Sequence, residues 1–287
     1  MKQINLKLCL IIALIQSIPS IFAQNPDTIY LWPDKVPGET EAKHTPVQSS
    51  NTSGNSIRLT DVTNPALIVY KPEAYVNNGS AVIVCPGGGY NILSSDKEGS
   101  EIAEWLSNLG YTAFVLHYRV PEKQAGALND IQRGIRVIRG MAGKWKLDPD
   151  KLGVIGFSAG GSLCARASTR YSIDSYPGID NYDTLSSRPD FSILIYPAYL
   201  DQGENRSLTP ELLVDESTPP MFIFVAADDK HANSSLVMAT ALRDAGVPVE
   251  LHMLPFGGHG FGLRQGKTAA ETWPHLAEIW LQNRIAD

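Results

Sequence analysis

Cysteine is nearly missing from this chain: three in 287 residues, one of them Cys9 near the start. Cys85 and Cys164 allow at most one disulfide, which excludes a disulfide-stapled scaffold, and two buried free thiols are expected. Past the first two dozen residues no segment reaches the roughly 20 uncharged apolar residues that span a bilayer. A positive excess is missing too. The formal net charge of −6 repels phosphate backbones and argues against nucleic acid as a partner. No internal repeat or low-complexity tract is apparent. What is present, 43% apolar residues with near-average charge, describes an ordinary globule with a large core, of a length that one α/β domain can fill.

The first residues stand apart. "MKQINLK" carries Lys2 and Lys7, "LCLIIALIQSI" is apolar, and "PSIFAQ" offers small Ala23 before Gln24. Residues 1–23 read as a signal peptide cleaved after Ala23, which directs the chain to a secreted or periplasmic location and leaves no membrane attachment. Cys9 lies inside the apolar run and does not form a lipid-anchor site. Loss of the two lysines takes the charge to −8. Residues 24–287 are then expected to form a single domain. Within it residues 24–56 read as an irregular N-terminal segment, with structure starting near Ile57.

Seven short β-rich runs follow: "ALIVY" (66–70), "AVIVC" (81–85), "TAFVLHY" (112–118), "KLGVIGF" (151–157), "FSILIY" (191–196), "MFIFVA" (221–226) and "VELHML" (249–254). Continuous apolarity suits strands buried on both faces of a mainly parallel sheet. Helical patterns lie between them. "ALNDIQRGIRVIRGMAG" spaces Leu128, Ile131, Ile135 and Ile138 by three and four, and "TAAETWPHLAEIWLQNRI" closes the chain. This alternation predicts an α/β layered fold. Residues 169–190, rich in Tyr, Asp, Ser and Pro, interrupt it as either a lid or a long surface loop.

The chemistry centres on Gly156-Phe157-Ser158-Ala159-Gly160, a G-x-S-x-G pattern between a β-rich run and a helical one. In that setting a sharp turn holds a serine hydroxyl clear of the backbone. A hydroxyl is a weak nucleophile and needs a base, oriented in turn by a third group. Of the six histidines only His259 sits in a Gly-rich loop, "PFGGHGFGL", after a strand; His252 falls within a strand and His275 within a helix. The acid is sought just past the strand "MFIFVA", where Asp228 and Asp229 are adjacent. Asp229 is favoured for its greater reach, and Asp228 stays open. The order serine, aspartate, histidine is that of α/β-hydrolases. "VCPGGGYN" supplies Gly88 and Gly89, whose N–H groups, with that of Ala159, are candidates for an oxyanion hole. A phosphate cradle is disfavoured, since no G-K-[ST] follows these glycines.

With these pieces assembled, the chain resembles secreted bacterial α/β-hydrolase esterases of the acetyl xylan esterase-like group, related to dienelactone-hydrolase-type enzymes. The resemblance spans about residues 31–284 and is carried by "LWP", "CPGGGY", "DKEG", "LHYRV", "GFSAGG", "LIYPAY", "AADDK" and "GVPVELHMLPFGGHGFGL". It implies the α/β-hydrolase fold, nucleophile Ser158, acid Asp229, base His259, and oxyanion donors near Gly88, Gly89 and Ala159. It also implies an acylated carbohydrate as substrate, with neither metal nor cofactor. The departures are "HAN" after "DDK", where relatives often have a V-P pair, and Pro86 in place of the histidine of H-G-G-G. Tyr90 and Tyr196, at strand ends, are candidates for stacking on sugars. A feruloyl or general carboxylesterase and a serine peptidase would use the same triad. A glycoside hydrolase such as a xylanase would instead use paired carboxylates, and a non-catalytic carbohydrate-binding relative would have lost Ser158 or His259.

Overall fold

The computed structural model describes residues 27–285; the predicted signal peptide lies outside the described residues. The strands in chain order are β1 (Thr28–Tyr30), β2 (Val47–Gln48), β3 (Arg58–Thr60), β4 (Ala66–Tyr70), β5 (Ala81–Cys85), β6 (Leu93–Ser94), β7 (Thr112–His117), β8 (Leu152–Phe157), β9 (Phe191–Ile195), β10 (Met221–Ala226) and β11 (Val249–Leu254). The helices are α1 (Glu101–Asn108), α2 (Gln124–Gly140), α3 (Ala142–Trp145), α4 (Ala159–Thr169), α5 (Ala232–Asp244) and α6 (Thr268–Ile285). All seven predicted strands form, with ends shifted by at most one residue.

Eight strands make one sheet in the order β1-β4-β7-β5-β8-β9-β10-β11. From β7 to β11 every pairing is parallel, while β1 and β4 add an antiparallel edge. The central strands β5, β8, β9 and β10 are buried at every residue, because helices cover both faces. Successive side chains point to opposite faces. Ile83 and Val154 join the cluster that holds Ile131 of α2, Leu163 of α4 and Met238 of α5. Val82, Val84, Ile155 and Phe157 join the one that holds Ile102 and Leu106 of α1 and Trp273 of α6. Helix α4 lies directly on the sheet: a Cβ at Gly160 would stand 2.0 Å from the Cys85 carbonyl oxygen. Cys85 and Cys164 are buried and unbonded.

One expectation changes, and one open alternative narrows. Residues 24–56 are not wholly irregular: Thr28–Tyr30 pairs with β4, and Leu31 and Trp32 are buried behind it. The Trp32 indole N–H donates to Asp130 Oδ1 at 2.9 Å, and Asp130 also accepts from the Arg119 amide and guanidinium. A three-residue strand is too short for its alternation to be read from sequence. The 169–190 segment behaves as a surface loop pinned to α2. Arg133 pairs with Asp180 and Asp183, Arg136 with Asp174, and Tyr176 meets the Trp32 ring edge-on at 4.8 Å. A small second sheet, β2-β3-β6, sets Arg58 beside the loop that leaves β5.

Candidate active site

At the end of β8 the chain reverses through Ser158, at φ 52° and ψ −115°. A non-glycine residue in such a conformation is strained by about 1–3 kcal/mol and persists only where its surroundings enforce it. Here they do: the Ser158 amide donates to the Ile195 carbonyl, and its own carbonyl accepts from the Ser162 and Ala198 amides, each at 3.1 Å. The tight turn lifts the hydroxyl off the backbone into a cleft of about 300 Å³.

His259 reaches the same cleft from the loop between β11 and α6. Gly258 and Gly260 on either side have φ of 64° and 70°, a bend that favours glycine. His259 Nε2 lies 2.7 Å from Ser158 Oγ, and Nδ1 lies 2.6 Å from Asp229 Oδ2. The Asp229 side chain is fully buried, and its other oxygen accepts the His231 amide at 2.9 Å. Burial alone pushes this carboxyl up, but the bonds from His259 and the His231 amide outweigh it and hold it below the usual carboxylate range. An ionised Asp229 fixes the imidazole proton on Nδ1, leaving Nε2 as the acceptor facing Ser158. Asp228 turns the other way. It is exposed, and its Oδ1 accepts the Gly257 and Gly258 amides at 3.0 and 2.8 Å, which shapes the histidine loop from outside.

The triple glycine after β5 divides its amides. Gly87 N–H donates to Glu98 Oε2 at 2.9 Å. Gly88, at φ 138°, and Gly89, at φ 66°, line the cleft. Among the described residues no acceptor engages the amides of Gly88 and Gly89, or that of Ala159 in the first turn of α4.

The stacking role expected of Tyr90 and Tyr196 is overturned by their burial. Tyr90 is 3% exposed, against Tyr118 and Tyr199. Tyr196 is fully buried, its ring 4.4 Å from that of Phe261 and 5.0 Å from the His259 imidazole. Neither has a free face for a sugar. The aromatic that does line the cleft is Tyr199, two residues past Pro197.

Sequence reasoning also passed over Glu98, the glutamate of "DKEG". It lies in a π-helical turn, Asp96–Ser100, and is buried. Its Oε1 accepts the Tyr196 hydroxyl at 2.8 Å; that hydroxyl accepts the Gly262 amide at 3.0 Å, and the Gly262 carbonyl accepts the Trp273 indole N–H at 2.8 Å. One carboxylate thus ties the Gly87 loop to the His259 loop. Burial pushes it above the ordinary glutamate range, partly offset by those two donors. A glutamine here presents an amide NH₂ to one of two donors. Glu98→Gln is therefore expected to lower kcat by about tenfold to a hundredfold through displaced loops, with KM little changed; steady-state kinetics on an aryl ester measure the split.

The cleft is also lined by Arg58, Lys97, Lys230 and His231. The His231 ring centroid is 5.2 Å from that of His259; burial, then the neighbouring imidazole, hold its pKa below the usual histidine value. Among the described residues the one cluster with metal-ligand potential, Glu41, His44 and Asp61, is no part of the cleft lining.

The BD-FAE family model matches residues 67–195. An acetylxylan esterase of Xylanibacter ruminicola is 30% identical over 242 residues, covering 75% of this chain and 48% of that protein. The chain thus spans about half the length of that curated relative. The crystal structure of an acetyl ester-xyloside bifunctional hydrolase from Caldicellulosiruptor lactoaceticus superposes with a TM-score of 0.74 at 30% identity, covering 92% of this chain and 98% of that one. MGS-M1, an α/β hydrolase from a Medee basin deep-sea metagenome library, gives 0.62 at 29% identity, over 78% and 93%. Fold, chain order and these likenesses agree: the chain belongs to the α/β-hydrolase esterases.

Proposed function

We propose that this chain is a serine carboxylic-ester hydrolase that removes acetyl groups from plant polysaccharide such as xylan, through an acyl-enzyme on Ser158. The observation that carries the reading is the unbroken line Ser158 Oγ, His259, Asp229, at 2.7 and 2.6 Å. His259 Nε2 takes the hydroxyl proton as Oγ attacks the ester carbonyl. The amides of Gly88, Gly89 and Ala159 receive the oxyanion, and Asp229 stabilises the imidazolium. Collapse expels the sugar hydroxyl, which takes its proton from His259 and leaves acetyl-Ser158. Water, deprotonated by the same imidazole, then releases acetate and restores the hydroxyl. The acetyl and xylan assignments draw on the names of the two relatives. The leader-like first 23 residues support export to the medium or periplasm, where such polymers lie.

A xylanase reading lacks its chemistry in this cleft. Glycoside hydrolysis calls for two carboxyl groups flanking the bond, yet Glu98 is committed to Gly87 and Tyr196, and Asp229 lies behind His259.

Initial rates on 4-nitrophenyl acetate, acetylated xylan and methyl ferulate test the proposal. Acetate release from both acetyl substrates, with ferulate release at least about tenfold slower, is the expected result. Equal ferulate release would overturn the acetyl assignment while sparing the esterase. Reducing sugar released without acetate would replace it with a glycosidase.

A further inference from the structure

Three cations from separate parts of the chain line the cleft that holds Ser158 and His259. Arg58 comes from β3, Lys97 from the π-helical turn, and Lys230 from the loop after β10. We propose that they form a subsite for a carboxylate on the substrate, so that the preferred ester sits on a polysaccharide segment bearing a uronic-acid side group. The inference rests on the esterase reading above and adds the charge of the substrate to it.

The charges of these residues are unspent. Among the described residues, none of the three is in an ion pair, although Arg119, Arg133, Arg136, Arg139 and Arg264 each have a carboxylate partner. Arg58 donates to the Ser53 carbonyl, which leaves most of its guanidinium fork uncommitted. Lys97 donates to the Gly260 carbonyl at 3.2 Å, which keeps an ammonium next to His259 without neutralising it.

The neighbouring acids are bonded elsewhere. Asp96 is held by Arg264, the Ser56 hydroxyl and the Ile57 amide. Glu98, which also lines the cleft, is bonded to Gly87 and Tyr196, Asp228 to the loop amides, and Asp229 to His259. In a chain of net charge −6, three cations without an ion-pair partner line the cleft of the nucleophile, against one lining carboxylate, Glu98. Such a group of cations draws anions in, the more strongly as water is displaced. A guanidinium fork beside two ammonium groups matches a carboxylate, whereas a neutral acetylated sugar uses none of that charge.

The carboxylate has two chemical sources, the sugar or the acyl group. The test uses acetylated xylo-oligosaccharides with and without one glucuronic-acid branch, and 4-nitrophenyl hemisuccinate, each rate taken relative to the same protein's rate on 4-nitrophenyl acetate. Wild type is expected to favour the branched acidic oligosaccharide over the neutral one by about tenfold in kcat/KM at low salt. That ratio should fall toward one in about 0.5 M NaCl, and in Arg58→Gln/Lys230→Gln at low salt. Lys97 is left intact because it also anchors the Gly260 carbonyl. No acidic preference in wild type, or one that survives the double substitution, would overturn the subsite. A preference confined to the hemisuccinate would retain the cations as a carboxylate site but overturn the uronic-acid assignment. Absence of hydrolysis even of 4-nitrophenyl acetate would overturn the esterase reading and the subsite together.

Discussion

Ser158→Ala is expected to lower kcat on 4-nitrophenyl acetate by about 10⁴- to 10⁶-fold, His259→Ala by a similar factor, and the double variant by no more than either alone. The hydroxyl and the imidazole act in one step: without Nε2 at 2.7 Å the Oγ proton has no acceptor, and without Oγ the imidazole has nothing to activate. Losses that are equal and do not multiply are the signature of such a unit. The fold should be untouched, since the turn at Ser158 is held by backbone bonds to Ile195, Ser162 and Ala198. Melting temperature by circular dichroism checks that. Losses that multiplied in the double variant would mean that the two side chains work separately, and the acyl-enzyme mechanism would fall.

What the sequence disclosed follows from how far each feature depends on distant partners. The central strands are legible because burial on both faces demands continuous apolar runs, whatever covers them; Ala81–Cys85 and Met221–Ala226 read true to the residue. The strands β1, β2, β3 and β6, of two or three residues, carry no pattern of their own and exist through their partners. They matter to the site: without β3 and β6, Arg58 and Ser94 would not line the cleft.

The glycines show the same division. Gly156 and Gly160 are where a helix must approach a sheet, a local requirement written in adjacent residues. Gly87 looks identical to Gly88 and Gly89 in sequence, yet its amide is taken by a carboxylate eleven residues away. Tyr196 departs from its sequence reading for a related reason. A strand-end tyrosine is a rim residue unless something packs over it, and Phe261 and Glu98, which cover and hold it, come from elsewhere in the chain. Glu98 itself carried no signal. A buried glutamate is improbable by type, and only the tertiary arrangement that brings Gly87, Tyr196 and the His259 loop together gives it a use.

Two adjacent aspartates provide the sharpest test of the orienting acid. Asp229→Asn is expected to lower kcat by about 10⁴-fold. Its amide oxygen can still accept the His231 amide, but its NH₂ then faces His259 Nδ1 and selects the tautomer with hydrogen on Nε2, the nitrogen that must receive the serine proton. Asp228→Asn, one residue away, is expected to cost less than about tenfold, because its amide oxygen can go on accepting from the Gly257 and Gly258 amides. Asp228→Ala removes that acceptor; it should lower the melting temperature and loosen the loop without changing the imidazole tautomer. The measurement is kcat on 4-nitrophenyl acetate for the three variants, with thermal melts beside it. A larger loss at Asp228→Asn than at Asp229→Asn would move the acid to Asp228 and break the proposed line from Asp229 through His259 to Ser158. The depressed pKa of Asp229 agrees with that role: its carboxylate stays charged through the usual aspartate range, so Asp229→Asn removes a charged acceptor and not a neutral acid.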